Sequence, residues 1–199
     1  MMDLFSSEKT VYNLPQAEVI HIPEFYSFDQ ASYIFNQLLK QTPWQQDNIT
    51  LFGKTYRQPR LTALYAKDTS YSYSGITMNS HVFSPLLLKT KEEVEQITGC
   101  IFNSVLLNLY RDGNDSNGWH ADNEKELGNN PTIASVSFGA TRLFKFKHRT
   151  LKNESYKLEL NHGSLLIMKG SMQEHWLHQI PKTKKDVSER INLTFRFIA

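Results

Sequence analysis

Six short segments after Gly99 constrain the fold of this chain more than any other feature. SVLLNLY (104–110), IASVSFG (133–139), RLFKFKH (142–148), YKLEL (156–160), SLLIM (164–168) and INLTFRFI (191–198) have period two or are short β-rich runs, with polar turns between them. Segments of this kind point to an antiparallel sandwich, jelly roll or barrel. The chain before Gly99 reads differently. Ser27 and Gln30 have the spacing of a capping box, and Ala31, Ile34, Phe35, Leu38 and Leu39 then recur at helical intervals. This predicts a helix from about Phe28 to Lys40, ended by Thr42-Pro43. Ser84-Pro85 opens a second helix through Leu87, Val94 and Ile97 to a stop at Gly99. Between the helices, NITLFGKTYRQPRLTALYAKDTSYSYSG carries the Thr, Tyr and Gly content of short strands and hairpins, and a weak strand signal lies at Ala17–Ile22. The expected architecture is mainly β with N-terminal α/β elements.

The 199 residues, 40% apolar and 21% charged, suit one well-buried core, so a single domain is expected. Cys100 stands alone, which excludes an intramolecular disulfide and a cysteine-based zinc site. The start MMDLFSSEKTVYNLPQ lacks a signal-peptide pattern, and apolar runs such as LLIM cannot span a bilayer. A cytoplasmic, membrane-free monomer is the default expectation. The net charge of +2 says little by itself, but Lys145/Lys147/Arg149/Lys152 and Lys182/Lys184/Lys185 are clusters placed to meet phosphates.

The last strand carries polar residues where a core belongs. Alternation puts Ile191, Leu193, Phe195 and Phe197 on one face and Arg190, Asn192, Thr194 and Arg196 on the other. A half-exposed strand with one wet face explains this pattern without any site. If both faces are buried, the two arginines require anionic partners. SVLLNLY offers Leu106, Asn108 and Tyr110 on one face, so two such strands can line a polar cavity for a small dianion, held by the planar fork of arginine.

Histidines complete the set. GWHADNE supplies His120 and Asp122, and HWLHQIP supplies His175 and His178. Two histidines and a carboxylate with open positions form the facial triad of a non-haem Fe(II) oxygenase, and His178 is the preferred third ligand. His175 reads as structural, as do His21, His81, His148 and His162. A zinc hydrolase on the same residues would leave the paired arginines unexplained.

The ordered motifs NLYRDG with WHADNE, ASVSFGATRLFKF, HGSLLIM, HWLHQIP and RINLTFR resemble the AlkB family of Fe(II)- and 2-oxoglutarate-dependent dioxygenases, from about Glu24 to the C-terminus. The resemblance implies a double-stranded β-helix (jelly-roll) core over about 101–199, preceded by helices and a nucleotide-recognition lid over about 1–100. It implies that His120, Asp122 and His178 bind Fe(II). Asn108, Tyr110, Arg190, Asn192 and Arg196 would hold 2-oxoglutarate, with Arg190 at the far carboxylate and Arg196 nearer the metal. LFGKTYRQPRLTALY and SYSYSG are similar to the branch that repairs alkylated duplex DNA. That similarity makes Phe52 the wedge that fills the gap left by a flipped base, the alternative being burial of Phe52 in a core. Tyr73 and His120 would sandwich the flipped base, Ser74 and Glu124 would line its pocket, and Arg60 would lie near the opening. Asn123 stands where those proteins tend to have a second acid. The implied reaction consumes O2 and 2-oxoglutarate and demethylates bases such as 1-methyladenine and 3-methylcytosine in alkylated DNA, releasing formaldehyde, succinate and CO2. An RNA demethylase and an inactive nucleic-acid-binding module are the alternatives.

Overall fold

The computed structural model describes residues 8–51, 53–66, 71–73 and 76–199, with the backbone alone at 50–51, 71–73 and 76–78. Phe52 and Ser74 therefore lie outside the described residues, and Tyr73 is described only through its backbone. The first half runs through strands β1 (Thr10–Leu14) and β2 (Ala17–Ile22), helix α1 (Phe28–Gln41), strands β3 (Asn48–Leu51), β4 (Lys54–Arg57), β5 (Leu61–Ala66), β6 (Tyr71–Tyr73) and β7 (Ile76–Met78), and helix α2 (Pro85–Thr98). The second half is almost entirely β: β8 (Ser104–Tyr110), β9 (Asn117–His120), β10 (Ile133–Gly139), β11 (Arg142–His148), β12 (Ser155–Leu160), β13 (Ser164–Gly170), β14 (Trp176–Ile180) and β15 (Arg190–Arg196), with the short helix α3 (Met172–His175) before β14.

Both long helices start where their capping residues place them. Ser27 and Gln30 form the reciprocal box, and the Ser84 side chain accepts from the Leu87 amide with Pro85 in the first turn. Gly99 ends α2 in the left-handed conformation that glycine adopts without penalty.

The strands form two main antiparallel sheets. The larger has the order β1-β2-β13-β10-β15-β8-β5 and the smaller the order β12-β11-β14-β9. Helix α1 packs on β10 and β15, so the larger sheet is covered by helix on one face and lines the space between the sheets with the other. Every residue of β8 and of β15 is buried, which rules out the wet-face explanation of the arginine strand. Arg190 and Arg196 are 1% and 4% exposed. The N-terminal half does more than cap the core: β1, β2 and β5 extend the larger sheet on both sides. Strands β3 and β4 pair as a hairpin with Leu51 opposite Lys54, and β6 pairs with β7.

Close packing dictates glycine at Gly113, Gly139 and Gly163, and Gly139 bears on the site. Gly139, at φ +87°, turns β10 toward β11, and a Cβ there would lie 2.3 Å from the Glu189 carbonyl oxygen. The absence of a side chain lets the start of β15 lie close to the end of β10, where Gly139 is paired with Arg190 and the Ala140 amide donates to the Glu189 carbonyl oxygen at 2.9 Å.

Candidate metal and co-substrate site

Strand register assembles the site. Tyr110 lies opposite Arg190 and Asn108 opposite Asn192 across β8 and β15. Asn192 also faces Ser137 on β10, and Thr194 faces Ser135. Three central strands thus project polar side chains from one buried face, the alternating period of a strand delivering them at every second position. From the opposite sheet, His178 on β14 is paired with His120 on β9. Asp122 follows β9 by two residues, so the chain returns its carboxylate to the same point.

His120, Asp122 and His178 offer ligand atoms that all lie within 4.8 Å of one another. The two imidazoles meet edge to face at 4.3 Å between centroids, and the His178 ring stacks on Phe144 at 5.4 Å. His120 Nδ1 lies 2.7 Å from the Gly118 carbonyl oxygen and must donate to it, which leaves a lone pair on Nε2. The Asn117 amide nitrogen, at 3.1 Å, donates to that lone pair. His178 Nδ1 is buried with no hydrogen-bond partner among the described residues. Burial, reinforced by His120, holds the His178 imidazolium down to a pKa of about 3. Burial also lowers the His120 pKa. Both rings are therefore neutral near pH 7, the form that ligates a metal.

Asp122 is 2% exposed. Burial by itself would raise its pKa, but Arg196, His178 and His120 outweigh that and hold the carboxylate at about 2. Arg196 Nη2 donates to Asp122 Oδ1 at 2.6 Å. The Asp122 backbone amide donates to Gln173 Oε1 at 2.9 Å, and Gln173 is itself 2% exposed. Gln173, on α3, orients the acidic residue from outside the ligand set, as outer partners of metal ligands do.

At the other end of the cavity, Arg190 Nη2 donates to Ser137 Oγ and Asn192 Oδ1, both at 2.9 Å. Its Nε and Nη1 are buried with no hydrogen-bond partner among the described residues. Burial lowers the Arg190 pKa to about 10, the neighbouring Arg142 charge acts in the same direction, and Tyr110 opposes both. Tyr110 is flanked by the two guanidinium groups, with Arg190 at 5.2 Å and Arg142 at 5.6 Å from its ring centroid. A buried cation with open N–H groups suits an entering carboxylate. Asn192 Nδ2 donates to Thr194 Oγ1 and Ser135 Oγ donates to Asn192 Oδ1, which fixes the row between the arginine and the triad. Ser135, Ser137 and Gln173 were missed in the sequence; the alternation of ASVSFG carried the signal for the two serines.

The donor set fits a ferrous ion: two imidazoles and one carboxylate, the remaining coordination positions left open. Zinc held by cysteine is impossible with one cysteine in the chain.

A match to the 2OG-Fe(II) oxygenase superfamily runs over residues 18–196. The chain belongs to this superfamily. Within it, the AlkB relatives are near. This family member is 44% identical over 186 residues to the alpha-ketoglutarate-dependent dioxygenase alkB homolog 3 of Bos taurus, covering 88% of this chain and 64% of that protein. It is 39% identical over 180 residues to the DNA oxidative demethylase ALKBH2 of Homo sapiens, covering 85% and 69%. The Arabidopsis thaliana ALKBH2 is 36% identical over 219 residues, covering 96% and 70%. The chain thus spans about two thirds of the length of these relatives. A solved structure of OsALKBH1 superposes with a TM-score of 0.66 at 17% identity, covering 94% of this chain and all of that one. At that identity the likeness concerns the fold, and it agrees with the jelly-roll arrangement of the two sheets.

The remaining expected contacts divide. Arg60 is 5% exposed, and its Nε donates to Asn108 Oδ1 at 2.8 Å. It supports the polar row from behind as well as lying beside Ser116, whose carbonyl oxygen accepts from Nη1 at 3.3 Å. Glu124 is half-buried with Oε2 unpartnered among the described residues, and burial followed by the Asp122 charge raises its pKa. His175 lies outside the triad, its ring stacked on His148 at 5.9 Å.

Proposed function

We propose that this protein is an Fe(II)- and 2-oxoglutarate-dependent dioxygenase that demethylates N-alkylated bases such as 1-methyladenine and 3-methylcytosine in DNA. The observation that carries the reading is one cavity with the His120/Asp122/His178 cluster at one end and the open Arg190 donors at the other. The name of the ALKBH2 relatives, DNA oxidative demethylase, supports the nucleic-acid substrate, and that of the AlkB homolog 3 relative supports the dioxygenase chemistry.

His120, Asp122 and His178 would hold the ferrous ion. Arg190 would receive the far carboxylate of 2-oxoglutarate through Nε and Nη1, with Tyr110, Asn108 and Asn192 lining its path. Arg196 already neutralises Asp122 and so sets the charge beside the metal-bound end. When bound, the ion and co-substrate supply an O2-dependent oxidation that yields succinate and CO2 and hydroxylates the N-methyl carbon. The hydroxymethyl base then releases formaldehyde, and the ring nitrogen regains its neutral form as a proton leaves. The buried walls exclude water from this chemistry.

A ring nitrogen that carries a methyl group cannot pair, so its base is less costly to flip than an intact one. Phe52, between the paired residues Leu51 and Lys54 in sequence, is the proposed wedge. Tyr73 with His120 would sandwich the base; Ser74 and Glu124 would line its pocket and Arg60 its opening. These lesions are cationic, which favours an aromatic face and a carboxylate such as Glu124.

The test is mass spectrometry of oligonucleotides carrying 1-methyladenine or 3-methylcytosine, as single-stranded DNA, duplex DNA or RNA, incubated aerobically with protein, Fe(II) and 2-oxoglutarate. Loss of the methyl mass only with both cofactors is the expected result. Succinate formation with unchanged oligonucleotides would overturn the substrate and leave the cofactor site standing. Fastest turnover on single-stranded RNA would replace DNA by RNA as the substrate.

The Lys182/Lys184/Lys185 loop is proposed to meet phosphates. Replacing Lys184 and Lys185 with alanine should lower the salt dependence of binding, the slope of log K against log salt, by about 1.4 on single strands and about 1.8 on duplex. An unchanged slope in a salt titration would remove this loop from the footprint.

A further inference from the structure

The outer face of the four-stranded sheet is built like a binding surface, yet nothing in the chemistry above uses it. Register puts Lys145 directly between Lys157 on β12 and Gln179 on β14, and Lys147 between Ser155 and Leu177. These residues alternate with Phe144, Phe146 and His178, which face the interior, so the lysines all project outward. On β9, at the edge of the same sheet, Trp119 alternates with His120 and projects to the same outer side; it is 40% exposed. Lys147 Nζ sits 4.4 Å from the centre of the Trp119 ring. None of Lys145, Lys147 and Lys157 forms an ion pair among the described residues. A carboxylate shares this face: Glu159, opposite Leu143, lines the same surface cavity as Lys145 without pairing to it among the described residues.

Protection of a sheet edge does not account for Lys145 and Lys147. Lysines guard edge strands against pairing, but Lys145 and Lys147 lie on β11, between β12 and β14. Of the two edges, β12 carries Lys157 and β9 carries the exposed indole. The face also joins the basic loop: Lys145, Lys182 and Lys185 line one surface cavity of about 220 Å³. The cations thus continue around the sheet from the loop to Trp119, one residue from His120.

We infer that this outer face, from Trp119 across Lys147 and Lys145 to Lys157, docks the single strand that flanks the reactive base. The inference rests on the nucleic-acid reading above. Clustered lysines without carboxylate partners match a phosphate backbone, and an exposed indole stacks on a base only where that base is unpaired. Because β9 is an edge strand, a chain leaving the mouth of the site reaches Trp119 by passing one strand's width, about 4.8 Å.

The test is equilibrium binding of the full chain to unmodified, fluorescently labelled single-stranded oligonucleotides of about 5 and about 15 nucleotides. Trp119→Ala should weaken the longer one roughly 5- to 150-fold, and Trp119→Phe should restore most of that loss. Lys145→Gln with Lys157→Gln should lower the salt slope by about 1.4 on the longer oligonucleotide alone. Melting temperatures equal to wild type establish that each variant is folded. Equal losses on both lengths, an unchanged slope, or an equal loss on a duplex of the longer length would each overturn the assignment. Because no alkyl group and no turnover enter this measurement, a failure of the dioxygenase reading shows in the mass-spectrometric assay and not here.

Discussion

Arg190→Met is expected to stabilise the protein in the absence of 2-oxoglutarate and to abolish the stabilisation that 2-oxoglutarate confers. Arg190 is 1% exposed, carries two buried N–H groups without partners, and has its pKa lowered to about 10 chiefly by burial. A buried cation in that state costs stability, and replacement by an apolar side chain of similar volume is typically neutral or stabilising by about 1–4 kcal/mol. The low end applies, since Ser137 and Asn192 each lose a donor. For a chain of this size, about 1 kcal/mol moves Tm by about 2–4 °C. The ligand works in the opposite direction. At 100 times its Kd it adds about 2.7 kcal/mol to the wild type, or roughly 5–11 °C. Losing two charge-assisted hydrogen bonds costs the variant about 3–6 kcal/mol of binding, at least 100-fold. Anaerobic thermal unfolding with Fe(II), with and without 2-oxoglutarate, reads both effects without turnover. A variant that keeps the ligand-induced shift would remove Arg190 from the co-substrate site.

His120→Ala and Asp122→Ala should both abolish Fe(II) retention and turnover, yet differ sharply in stability. Loss of an outer partner of a metal ligand costs about 10–100-fold, so loss of a ligand itself should exceed about 100-fold in activity. His120 is half-buried and its hydrogen bonds reach Gly118 and Asn117, so its removal should cost no more than about 1 kcal/mol. Asp122→Ala instead leaves the Arg196 guanidinium buried beside an empty partner position, which costs about 3–5 kcal/mol, a large part of a typical domain's stability. Metal content after anaerobic dialysis and urea midpoints measure the two consequences. Equal destabilisation by both variants would contradict the ion-pair account.

Acid should expose the same arrangement in the metal-free protein. His178 has its folded pKa lowered to about 3, so the unfolded chain takes up its proton first and stability falls as pH drops below about 6.5 toward 3. Asp122, lowered to about 2, contributes stability that is present above about 3.9 and lost as pH falls through 2. Urea midpoints across this range should therefore begin to decline well above the carboxylate range, and His178→Gln should remove the upper part of the decline.

Much of this is legible in the amino-acid sequence. The capping box at Ser27 and the stop at Gly99 are local interactions, so the helix limits followed within a residue. Six of the eight strands after Gly99 were readable from their period; β9 and β14, each short and polar at several positions, were not. Strand β1, TVYNL, was not seen, because none of its five residues is fully buried and its apolar face is only the two side chains of Tyr12 and Leu14. The contribution of β2 and β5 to the larger sheet was also hidden, since pairing partners far apart in sequence leave no local trace.

The amino-acid sequence alone determined the donor types and their order: one His-x-Asp, a later histidine, and a strand alternating Arg, Asn, Thr and Arg. It could not decide whether that strand faced water. Burial on both sides is a property of the assembled layers: α1 covers one face of the larger sheet and the smaller sheet covers the other. Only then do Arg190 and Arg196 become buried cations with different fates, Arg196 paired to Asp122 and Arg190 left with open donors. The preference for His178 over His175 was already an expectation from the sequence, and the assembled sheets supply its geometry. His175 ends α3 with its ring stacked on His148, whereas His178, three residues on and within β14, stacks on Phe144 and is set opposite His120 by antiparallel pairing with β9.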